Sequence, residues 1–61
     1  MPRQKVIAFI ALHTRFSVED LQGYRDIPLE RILEGIARDT AKEDVRIWAE
    51  TALSDREWRQ D

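Results

Sequence analysis

Sixty-one residues with no cysteine and a net charge of −2 make one domain at most. They exclude a disulfide framework and a thiolate zinc site. A chain this short buries only roughly 60% of its unfolded surface, so a partner is the staple left open to it, and a homodimer is the expected form. Acids outnumber bases, which removes the general electrostatic argument for a polyanion partner and leaves only a local basic patch to supply one.

The first element is expected over about residues 3–13. Pro2 suits the first turn of a helix, and the apolar run VIAFIAL, Val6 to Leu12, is far too short to cross a bilayer. No small-residue cleavage site follows it, so a buried helix is expected in place of a targeting segment, in a cytoplasmic protein. Val6, Ile7, Phe9, Ile10 and Leu12 wrap most of the circumference, which places this helix centrally or against a second chain.

A second helix is expected over about 17–25. SVED, Ser17 to Asp20, is a capping box with Asp in place of Glu, and Phe16 stands at the hydrophobic-staple spacing from Leu21. Asp26, Ile27 and Pro28 form the expected turn, with Asp26 able to take a left-handed backbone and Pro28 opening a third helix over about 28–38. TAKE, Thr40 to Glu43, is a capping box for a fourth helix over about 41–53. Val45, Trp48, Ala49 and Ala52 recur at i, i+3, i+4 and i+7, one stripe of a buried face; on that stripe Trp48 is the expected core anchor. The tail, residues 54–61, holds a third box, SDRE at Ser54 to Glu57. Its Trp58, beside Arg56 and Arg59, either anchors an interface or folds back on the first helix to finish a thin core.

The fold class is therefore all-α: one compact domain over residues 1–61, a three- to four-helix bundle with a helix-turn-helix-like central pair. FSVEDLQGYRDIPLERI, within residues 16–36, resembles the helix-turn-helix of trihelical DNA-binding domains, with its nearest echo in the region-four type of sigma factors. Phe16, Ser17, Glu19, Asp20, Leu21, Ile27, Pro28, Leu29 and Ile32 stand at equivalent or similar places. Gln22, Arg25 and Asp26 replace the usual small, apolar and glycine residues of that motif.

The resemblance implies a third helix presenting Pro28, Leu29, Glu30, Leu33 and Glu34 outward. Base reading draws mainly on Arg, Lys, Asn, Gln, Ser or Thr, and this face offers leucines and glutamates. Leu29 and Leu33 are i, i+4 neighbours beside the acidic strip of Glu30 and Glu34, a composition that fits a protein-docking patch. The two leucines fit the core equally, next to Ile32 and Ile36. The leading expectation is a small regulatory adaptor or inhibitor that binds another protein, with the transcription machinery a candidate source of that partner, through Leu29, Glu30, Leu33, Glu34 and Trp58. The alternative is a dimeric DNA-binding regulator that uses Arg25, Arg31 and Arg38, and a third reading is a purely structural self-assembling bundle.

Catalysis finds no support in the sequence. There is no glycine-rich phosphate loop and no recognisable nucleophile–base motif. His13 is the sole histidine, and Glu19–Asp20 and Glu43–Asp44 fit first helical turns, where acids oppose the helix dipole. No cofactor or metal is expected.

Overall fold

The computed structural model describes all 61 residues as four helices: α1 (Arg3–His13), α2 (Val18–Gln22), α3 (Asp26–Asp39) and α4 (Glu43–Ser54). There are no strands, and the chain is an all-α bundle with extents of 28 × 24 × 16 Å. No helix is long and apolar enough to cross a membrane. α3 packs most extensively against α4, while α1 lies across α2 and α3.

Local chemistry accounts for most of the helix ends. Thr14 closes α1, its hydroxyl donating to the Ile10 carbonyl at 2.7 Å and accepting from the Phe16 amide at 3.2 Å. Ser17 caps α2 as its capping box requires, its Oγ accepting from the Asp20 amide at 3.1 Å, one of the donors a helix start leaves unpaired. The ring of Phe16 makes its aromatic contact edge-on with Tyr24, 5.8 Å between centroids. α2 stops at Gln22, three residues short of the expected end: the amides of Gly23 and Tyr24 bond the carbonyls three residues back, of Asp20 and Leu21, and the chain is extended by Arg25 (ψ −177°).

α3 begins two residues earlier than expected, at Asp26, so Pro28 sits third in the helix. It is still within the first turn, where its missing N–H leaves no hydrogen bond unmade. No residue has positive φ; the expected left-handed turn at Asp26 is absent because Asp26 is itself helical. Thr40 does not open α4 either. It closes α3, its amide donating to the Ile36 carbonyl, and its hydroxyl accepts from the Lys42 amide at 3.1 Å. SDRE does not restart a helix: Asp55 ends α4, and its carboxylate accepts from the Glu57 amide at 3.0 Å.

The core is one cluster: Val6, Ile7 and Ile10 of α1, Leu21 of α2, Leu29 and Leu33 of α3, Ala49 and Ala52 of α4, and Trp58 of the tail. The i, i+3 and i+4 spacings give α1, α3 and α4 one inward stripe each, and the short α2 contributes Leu21 alone. On α4 the stripe is Val45–Ala49–Ala52, all buried. Trp48 lies at its border, half-buried, stacked on Phe9 at 4.1 Å between centroids and 13° between planes. The two small alanines make room, and the large ring that fills it is Trp58, which has no exposed surface. The central anchor is thus Trp58 and not Trp48.

Candidate functional site

The tail is held by a polar network centred on Asp26. This carboxylate is buried, which a lone acid rarely tolerates. Its Oδ1 accepts from Arg3 Nη1 at 2.6 Å, and its Oδ2 accepts from the amides of Gln60 and Asp61, each at 2.9 Å. Burial pushes the Asp26 carboxyl up; the Asp61 amide, the Arg3 guanidinium and the Gln60 amide outweigh it and hold the group below the ordinary carboxylate range. Arg3 also donates to the Tyr24 carbonyl at 2.8 Å and to the Trp58 carbonyl at 3.0 Å. Arg25 provides no side-chain cap for α3. Asp61 supplies one from the tail, accepting from the Asp26 amide at 3.2 Å.

Trp58 is enclosed by the same network. Its indole N–H donates to the Ala52 carbonyl at 2.7 Å, and the guanidinium of Arg59 lies 4.6 Å from its ring centroid, within cation–π range. Arg59 spans further, donating to Glu30, to the Leu53 carbonyl at 2.9 Å and to the Asp55 carbonyl at 3.3 Å.

These contacts reassign the docking residues expected from the sequence. Leu29, Leu33 and Trp58 are fully buried and cannot line an open surface. Glu30 is half-buried and committed to Arg59. Of the expected group only Glu34 is exposed. The face expected to point outward is rotated toward the core, because Leu29 and Leu33 continue the stripe begun by Asp26, at i+3 and i+7.

The solvent face of α3 is instead Ile27, Pro28, Arg31, Glu34 and Arg38. Ile27 is 62% exposed, an apolar residue at the leading end of a charged stripe. Sequence reasoning passed over it as a turn residue; its offset from Arg31 and Glu34, at i+4 and i+7, was the available signal. The three arginines of the DNA-binding alternative are all exposed and differ in their partners. Arg25 faces Asp61 at 3.3 Å, and Arg38 is held by Asp39 through two hydrogen bonds, 2.9 and 3.2 Å. Arg31 has no acidic partner within ion-pair distance.

His13, at the end of α1, packs its ring against Phe9 at 4.6 Å and borders a shallow depression with Ile36, Asp39, Thr40 and Val45. No three of the His, Asp and Glu side chains converge as a metal site requires. Comparison with known proteins finds no matching family model, no matching curated protein and no matching solved structure.

Proposed function

We propose that this chain is a small regulatory adaptor that works by binding, as a homodimer, and contacts a protein partner through the outward stripe of α3. The observation that carries the reading is Ile27, an aliphatic side chain held in solvent at the start of a 14-residue helix and followed on the same face by Arg31 and Glu34. An exposed apolar side chain bordered by charge of both signs fits the edge of a docking patch, and a helix presents it with little ordering cost on binding. The stripe replaces Leu29 and Leu33 as the contact surface while keeping α3 as the element that makes it.

The test is capture of partners from native host lysate by the tagged chain and by its Ile27→Asp variant. An acid in the first turn of α3 favours the helix, so the variant keeps its fold. Loss of specific partners with Ile27→Asp supports the reading, and an unchanged partner set overturns it. Arg31 favours the second reading, DNA contact, since its charge is uncommitted on the same stripe. Binding of a specific duplex that weakens steeply with salt and is lost with Arg31→Ala assigns α3 to DNA.

A further inference from the structure

Two other helix faces carry exposed apolar residues, and their surroundings have opposite charge. α1 contains no acid. Its solvent face runs through Lys5, Ala8 and Leu12, at i, i+3 and i+7, with Arg15 following just beyond the helix. Leu12 is 78% exposed, more than any other large apolar side chain of the protein. The solvent face of α4 runs through Glu43, Ile47, Glu50 and Ser54, with Asp44 and Thr51 beside it. Ile47 is 55% exposed and opens a shallow depression lined also by Glu50, Thr51, Ser54 and Asp55. The one base of α4, Arg46, is half-buried and donates to the Thr40 carbonyl at 3.3 Å.

We infer that a second copy of this chain covers these faces, α1 of each copy lying on α4 of the other, with Leu12 seated on the Ile47 depression. Charge complementarity selects this occupant. The cation-flanked leucine and the acid-flanked isoleucine are two halves of one contact, and both are present on every chain. Both also point into solvent, so they do not meet within one molecule. A two-fold axis converts the pair into two equal contacts. A standard interface takes about 800 Å² from each partner, under a fifth of the 4343 Å² that this chain exposes. The inference specifies the surface of the homodimer proposed above and leaves the stripe of α3 free for a partner.

The experiment is sedimentation equilibrium over a range of concentrations on the native chain and two charge-reversed variants, Lys5→Glu/Arg15→Glu and Glu43→Lys/Glu50→Lys. All four positions are exposed. The native chain is expected to dimerise and each variant alone to be monomeric, since like charges then face each other. An equimolar mixture of the two variants restores opposite charge at both contacts and is expected to dimerise, which a misfolded variant cannot imitate. Leu12→Asp is expected to abolish association of the native chain. A native monomer at the highest soluble concentration, dimers of either variant alone, or a mixture that stays monomeric overturns the inference. Ile27→Asp is expected to leave the dimer intact, so failure of the α3 reading and failure of this one are distinguishable.

Discussion

Replacing Trp58 with alanine tests whether the tail completes the core. Trp58 is wholly buried and donates its indole N–H to the Ala52 carbonyl. Truncating a buried Trp costs about 3–5 kcal/mol. A 61-residue chain at about 0.05–0.15 kcal/mol per residue has about 3–9 kcal/mol in total, so Trp58→Ala removes from about a third of it to all of it. Trp58→Phe keeps most of the apolar contact and loses the hydrogen bond. The Ala52 carbonyl still accepts from the Asp55 amide, so no buried acceptor is orphaned and the loss of the bond itself is about 0.5–1.5 kcal/mol. Trp48→Ala gives up a half-buried ring and its stacking on Phe9, about 2 kcal/mol. Urea unfolding followed by far-UV circular dichroism ranks the three variants. A midpoint for Trp58→Ala at or above that of Trp48→Ala refutes the assignment of Trp58 as the central anchor.

Four further outcomes are expected. Gly35→Ala should stabilise by about 0.5–1 kcal/mol, because Gly35 is inside α3, lacks positive φ, and an added Cβ meets nothing within 4 Å; a lowered melting temperature contradicts the open geometry. Ser17→Ala should cost about 1 kcal/mol by removing the cap on α2, read by thermal melting. Leu33→Ala should cost about 2–5 kcal/mol while Ile27→Ala stays within about 0.5 kcal/mol, a contrast in urea midpoints that reverses if the expected outward face of α3 was the true one. The depressed Asp26 carboxyl stabilises the fold fully above its unfolded value, about pH 4, and that contribution is lost as pH falls through the folded value. Asp26→Asn should therefore destabilise at pH 7 and flatten the acid limb of a stability–pH curve, and an unchanged acid limb places the linkage elsewhere.

The helical architecture was readable wherever the cause is local. SVED announced the cap at Ser17, and Val45, Ala49 and Ala52 announced the buried side of α4, because capping and period depend on neighbours in sequence. α3 was misoriented by its resemblance to a DNA-reading helix. Its own periodicity, Leu29 with Leu33 and then Ile36, already put those leucines inside and Ile27 outside. The burial of Asp26 had no local signature. An acid is ordinarily a surface residue, and what keeps this one inside are Arg3, 23 positions earlier, and the amides of Gln60 and Asp61, 34 and 35 positions later. Trp58 left two readings open for the same reason. No helix carries it, so no period orients it, and its place depends on contacts between distant parts of the chain.

That long-range closure constrains the order of events during synthesis. All four helices leave the ribosome before the residue that fills the space between them, and the amides that complete the shell of Asp26 come later still. A nascent chain ending at Ser54 carries the whole helical sequence with a hole at its centre and an acid lacking two of its donors. Partly closed species of this kind expose apolar surface and are prone to aggregation. The α3–α4 hairpin joins helices adjacent in sequence and can form early, since contacts of low sequence separation close first. The native core is complete only with Trp58 in place, so a truncated product that lacks it is expected to be helical in part yet readily degraded.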